Sequence, residues 1–394
     1  MINNCCIYLI ALTASTGLGQ GITLSENAEI SIITVGPGTN LNDSFGHNGF
    51  RIRDTSTNID LIYDYGRYDF NTPNFYLKFA QGKLLYEIGY RNFNPFLNYY
   101  KSQNRWLKEQ VLNLNDSEKQ ALFEYLQTNV KPENKKYKYD FFYDNCATKI
   151  RDVLIELLEG KLTYKHEHIT EDYTFRELIQ KNVDANSWGS LGMDIAIGAV
   201  VDRKASSLEY QFLPEYVLEG ANNAVIFRNG EEVSLVKKSN FLFEPVKQES
   251  KTNFFLSPFF VLGCLSLCLT LITYKDFKNK TRSRITDLII FTTSGVVGLL
   301  LLFLWLATDH SATVNNYNLL WAFPFSILFA AHIYKERPKA WLRKYVFFLL
   351  LLLTLLAIHW TTGVQVFALG LTPILVALVI RYVYVWYFLG KRHS

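Results

Sequence analysis

The chain runs Tyr139-Asp140-Phe141-Phe142-Tyr143-Asp144-Asn145-Cys146-Ala147-Thr148-Lys149-Ile150-Arg151-Asp152 into its clearest helix. Ile150, Val153, Leu154, Leu157 and Leu158 recur at helical spacing, and Gly160 stands where a C-cap glycine ends such a run. Cys146 therefore falls in the first turn. There the free backbone N–H groups and the positive end of the helix dipole favour a thiolate over a thiol. The same N–H groups can stabilise an oxyanion on an attacked carbonyl, with Asn145 and Ala147 as the supporting neighbours.

The remaining cysteines leave Cys146 on its own. Cys5 and Cys6 lie in a short apolar leader, and Cys264 and Cys268 lie in a long apolar run. A single thiol in an exported domain cannot be half of an internal disulfide, so it is a buried small hydrophobe or a reactive group. Its place at a helix start favours the second.

A thiol nucleophile needs a base, and the segment before the apolar runs offers His47, His166 and His168. His47 is the best placed, in Ser44-Phe45-Gly46-His47-Asn48-Gly49-Phe50 at the start of an expected strand. Strands are read over 28–35, 49–53 and 59–65, and a helix over 116–129. The next strand carries Tyr63-Asp64-Tyr65-Gly66, which makes Asp64 the expected orienting group for His47. His166 and His168 flank Glu167 in a charged stretch with no third ligand nearby, so no metal site is expected. Residues 72–104 are dense in Tyr and Phe without a clear period, as core or as an apolar groove.

Charge thins out after Lys251, where runs long enough to cross a bilayer begin. Five spans are expected, over 254–274, 288–307, 317–334, 345–360 and 366–388. Lys275, Lys278, Lys280, Arg282 and Arg284 fill the first loop, Lys335, Arg337, Lys339, Arg343 and Lys344 the third, and Lys391 and Arg392 the tail. The alternate loops hold no Lys or Arg, which puts the tail in the cytoplasm and everything before the first span outside. Residues 1–19 then read as a signal peptide or an N-terminal signal anchor, 20–250 as the exported domain and 251–394 as the membrane domain. The formal net charge of +4 largely serves this topology, so no nucleic-acid partner is expected.

The order His, Asp, then Asn-Cys at a helix start reverses that of papain-like enzymes and looks like the circularly permuted NlpC/P60 branch. The expected fold is thus an α+β papain-like domain followed by an all-α bundle of five transmembrane helices. Phe45-Gly46-His47-Asn48, Tyr63-Asp64-Tyr65-Gly66, Tyr139 to Asp152, Phe212-Leu213-Pro214, Thr308-Asp309-His310 and Asn318-Leu319-Leu320-Trp321 together resemble the Lnb-type lipoprotein N-acyltransferases. The resemblance implies a thiol acyltransferase without a cofactor, in a bacterial inner membrane with its N-terminal domain periplasmic. Cys146, with His47 as base, would take an acyl chain from a phospholipid as a thioester and pass it to the α-amine of a diacylated lipoprotein. Asp309, His310, Asn318 and Tyr139 are its expected substrate contacts. A membrane-tethered peptidase or amidase acting on cell-wall peptide is the alternative, and a receptor with a papain-like domain a third. Arg105, Gln110, Asp202 and Arg203 are expected to pair internally, and Arg381 to snorkel to the inner surface.

Overall fold

The computed structural model describes residues 22–246 and 253–391. The leader expected over 1–19 and the tail residue Arg392 lie outside them.

The N-terminal part is a mixed α/β domain. Its strands are β1 (Glu29–Val35), β2 (His47–Asp54), β3 (Ile59–Arg67), β4 (Leu85–Asn92), β5 (Leu107–Leu112), β6 (Lys136–Lys138), β7 (Leu162–Tyr164), β8 (Ala224–Arg228), β9 (Glu231–Ser234) and β10 (Val236–Phe243). Its helices are α1 (Phe75–Ala80), α2 (Phe93–Ser102), α3 (Asp116–Asn129), α4 (Cys146–Leu157), α5 (Phe175–Gln180), α6 (Trp188–Ala196) and α7 (Pro214–Asn222). Seven strands form one antiparallel sheet in the order β10-β5-β1-β2-β3-β4-β6, and β7-β8-β9 form a small second sheet.

Alternation along the strands decides what covers each face. Ile30, Ile32, Phe50, Ile52, Tyr63 and Tyr65 face α3, α4 and α7, whose Leu122, Ile150, Leu154 and Val217 complete that core. On the other face Ile33, Val35 and Ile62 meet Phe93, Phe96 and Tyr100 of α2. The helix after Cys146 buries Ile150, Val153 and Leu154 against β2 and β3, so its first turn comes to rest over the strands that carry His47 and Asp64.

The second part is helical: α8 (Pro258–Asn279), α9 (Arg284–Leu306), α10 (Ser326–Tyr334), α11 (Trp341–Thr361) and α12 (Thr372–Lys391). Among the described residues four helices are long and apolar enough to cross a membrane as unbroken helices, and the third of the five expected runs is not among them. The third apolar run is broken. It begins as a 3-10 turn, Tyr317–Leu320, passes through Pro324 and becomes helical again only at Ser326. Proline removes a backbone donor and disfavours helix just before it, so this run holds a helix of 9 residues in place of the ~20 of an unbroken crossing.

Glycines on α9 make room for this break. A Cβ on Gly298 would stand 2.1 Å from the Ala322 carbonyl, and one on Gly295 would stand 2.4 Å from the Ile327 nitrogen. Non-helical backbone at membrane depth is tolerated where protein covers it, and α9 supplies the cover.

Arg381 does not snorkel as expected. It is fully buried, donating to Asp287 at 2.8 Å and to Asp276 at 2.7 Å between α8, α9 and α12. The sequence placed two carboxylates within its reach, and an ion pair inside the bundle answers its charge more completely than a stretch to the surface.

Candidate active site

The turn that delivers Cys146 is built from its own polar residues. Asp140 and Asp144 exchange backbone hydrogen bonds at 3.1 and 3.0 Å. The Asp140 carboxylate also accepts the N–H groups of Phe142 and Tyr143 at 2.9 and 3.0 Å, an Asx-type turn. Asn145 then caps α4, its Oδ1 accepting from Ala147 N–H at 2.8 Å and Thr148 N–H at 2.9 Å, while Thr148 Oγ1 accepts the Asn145 N–H at 2.8 Å.

The two neighbours expected to support the site both take part in this cap. The Ala147 N–H is occupied by the cap, and the Asn145 side-chain amide donates to the carbonyls of Phe141 at 2.6 Å and Phe212 at 2.8 Å. The capping side chain leaves the N–H of Cys146 itself unengaged.

The thiol of Cys146 faces His47 and the backbone N–H of Asn48, and both act on its charge. His47 Nε2 lies 3.1 Å from Asp64 Oδ2, which leaves Nδ1 as the ring nitrogen for sulfur. Register explains the approach. Gly49 of β2 pairs with Asp64 of β3, which sets the carboxylate beside the start of the histidine's strand. Two residues on, Gly66 adopts φ +86°, and a Cβ there would stand 3.5 Å from the Cβ of Cys146. Glycine permits both that backbone conformation and the approach of the helix start to the strand.

Electrostatics pull the two central groups apart. Burial opposes a charged Cys146, yet the imidazolium of His47 and the Asn48 N–H together bring its pKa below that of an ordinary thiol. Burial likewise opposes a charged His47, and the charges and hydrogen bonds around it, those of Cys146 and Asp64 among them, carry its pKa well above the usual value. Both shifts favour a thiolate–imidazolium pair over the neutral one. Asp64, 2% exposed, is held ionised against its own burial by His47 and then by Arg67 and Arg91. Arg67 Nε stands 3.5 Å from its Oδ1 and Arg91 Nη2 stands 3.3 Å from its Oδ2.

Tyr139 stacks on Tyr86 with centroids 4.3 Å apart and lies within the field of the Cys146 thiolate. Burial first, then that negative charge, keep its phenol protonated. Arg105, Gln110, Asp202 and Arg203 have protein partners: Arg105 with Gly36, Gln110 with Asn222, Asp202 with Arg176, and Arg203 with Glu209. Among the described residues no cluster of His, Cys, Asp and Glu is arranged to hold a metal.

Asp309, His310 and Asn318 join the two parts of the chain. Asp309 accepts from Lys138 Nζ at 2.8 Å and gives its N–H to Gln81 at 2.8 Å, and His310 Nε2 lies 3.2 Å from the Phe79 carbonyl. The neighbouring Ser311 donates to Asp140 at 2.5 Å, tying the outer loop to the turn before Cys146. Asn318, fully buried, donates to the carbonyls of Asp194 and Ile195 on α6.

Two features went unread in the sequence. Arg91 becomes a partner of Asp64 only through the pairing of β3 with β4, and Arg67, on β3 itself, turns back to it where the register shifts between Asp64 and Arg67. Arg176 of α5 is 1% exposed and donates to Asp202 and Asp194 at 2.7 and 2.8 Å. Asp202 also accepts the N–H of Val366, between α11 and α12, so this buried triad braces the docking of domain on bundle.

Comparison with curated proteins and with solved structures returned no match. Two family models do match: the Lnb N-terminal periplasmic domain over residues 21–181, which holds Cys146, His47 and Asp64, and the Lnb transmembrane domain over residues 248–393, which holds the four long apolar helices found among the described residues. Together they cover most of the chain, in the order exported domain then membrane domain, and the chain belongs to the Lnb family of lipoprotein N-acyltransferases.

Proposed function

We propose that this protein moves an acyl chain from a membrane phospholipid, through a thioester on Cys146, to the α-amine of a diacylglyceryl-cysteine at a lipoprotein N-terminus. The contact of Cys146 with His47, backed by Asp64, carries the reading. The Cys146 thiolate attacks an ester carbonyl of the phospholipid, and the N–H of Cys146 is the amide free to face the oxygen that becomes negative. As the C–O bond breaks, the His47 imidazolium gives its proton to the departing alkoxide, releasing a lysophospholipid and leaving an acyl-thioester. The lipoprotein amine attacks that carbonyl, neutral His47 accepts the amine's proton, and the thiolate departs. An amide has formed, and the ion pair is restored. Asp64 holds the ring orientation and steadies the imidazolium throughout.

Docking on the bundle favours lipid-anchored substrates over a soluble cell-wall peptide. Both substrates are held in the same bilayer, so the hydrogen bonds through Asp309, His310, Ser311 and Asn318 keep the thiol where encounter is two-dimensional. We place the protein in the inner membrane, with the basic loops and the C-terminus in the cytoplasm. Mass spectrometry of lipoprotein N-termini from cells with and without the protein tests the reading. One additional acyl chain per N-terminus is expected in its presence; identical N-termini overturn it.

A further inference from the structure

The segment around α1 exposes large apolar side chains where a soluble surface would hide them. Phe70 is 64% exposed, Tyr76 79% and Phe79 53%, and their rings gather on Phe75 at 4.8, 5.4 and 6.4 Å. Backbone position tells what covers this patch. The carbonyls of Phe79 and Gln81 are bonded to His310 and Asp309, a few residues beyond the end of α9. Gly82, at φ +67°, lets the chain close on that loop, for a Cβ there would stand 3.1 Å from the His310 nitrogen. Leu306, which ends α9, is 70% exposed, so the patch continues the lipid-facing side of a membrane-spanning helix. Lys78 and Lys83 flank it, as suits a surface of anionic head groups. Aromatic side chains with polar edges are the usual occupants of that interface.

From the patch, rings lead inward. Phe70 meets Tyr68 at 5.1 Å, Tyr68 meets Tyr86 at 5.4 Å, and Tyr86 stacks on Tyr139, whose phenol lies within the field of Cys146. We infer that Phe70, Tyr76 and Phe79 seat in the bilayer leaflet on the side of the exported domain, and that the row Tyr68, Tyr86, Tyr139 guides a lipid acyl chain from that leaflet to Cys146. The second half rests on the acyl-transfer reading; the first does not.

Two measurements on the full-length protein in phospholipid nanodiscs test this. A photoreactive benzoylphenylalanine is placed at Tyr76 and, as a control, at Phe227 in the small sheet. Irradiation is expected to attach phospholipid at the first position and not the second; no lipid adduct at position 76, or equal adducts at both, overturns the membrane seat. In the second, Phe70→Ser, Tyr76→Ser and Phe79→Ser are combined and loading of Cys146 is followed from two donors. Loading from bilayer phospholipid is expected to fall about tenfold more than loading from a short-chain water-soluble ester, and an equal fall overturns the guided path. If the unaltered protein loads from neither donor, the acyl-transfer reading fails, and the crosslink alone upholds or overturns the membrane seat.

Discussion

The side-chain amide of Asn145 donates to the carbonyl of Phe212, 67 residues away, at 2.8 Å while its oxygen caps the helix that begins with Cys146. One side chain thus fixes the helix start and the turn before Pro214 together. Asn145→Ala removes the cap, worth about 1–2 kcal/mol, and strands the Phe141 and Phe212 carbonyls. The Cys146 thiol is expected to titrate at higher pH in this variant, measured as the pH dependence of its alkylation by iodoacetamide.

In the unaltered protein that alkylation is expected to begin below the ~8.5 of a free thiol. The sign follows from the two shifts. Cys146 is lowered, so its charge persists as pH falls until its folded pKa is reached, and His47 is raised, so its charge persists as pH rises until its own is reached. Loading should therefore peak between those limits and decline on the alkaline side as the imidazolium loses the proton that the leaving alkoxide needs.

Asp64→Asn keeps the shape beside His47 and removes the charge. Loss of that carboxylate is expected to move the alkaline limb of the loading profile toward lower pH and to slow loading by about 10²-fold. Full activity with an unchanged profile would remove Asp64 from the site.

For the membrane half, Gly298→Ala drives a methyl group toward the Ala322 carbonyl, where a Cβ would stand at 2.1 Å. Backbone cannot step aside as a side chain can, so the yield of detergent-extracted, monodisperse protein should fall sharply. Leu299→Ala, at a 46% exposed position on the same helix, should leave that yield unchanged.

Legibility in the sequence followed the range of each interaction. Cys146, His47 and Asp64 stood out because each sits in a short segment whose chemistry is local: a helix start, a strand start and a strand centre. The arginines behind Asp64 did not, since Arg91 reaches it only through the pairing of β3 with β4, and Arg67 only because the register shift between Asp64 and Arg67 turns it back along its own strand. Asn145 was legible as a supporting neighbour of the nucleophile, whereas its cap on the helix start and its bond to Phe212 required the tertiary structure. Apolar runs gave away four long helices, but hydropathy is blind to Pro324 and to the glycines that receive the broken segment. Asp309 and His310 were legible as polar residues at an outer helix end; that they dock the domain through Lys138 and Phe79 required the tertiary structure.

The most direct test of the account is to incubate the full-length protein with phospholipid carrying an isotopically labelled acyl chain, without acceptor, and to map the label by mass spectrometry. One labelled acyl group on Cys146, released by neutral hydroxylamine and absent from Cys146→Ser, is the predicted result. Transfer of label to lipoprotein in the added presence of acceptor, with no acyl group ever found on Cys146, would contradict it.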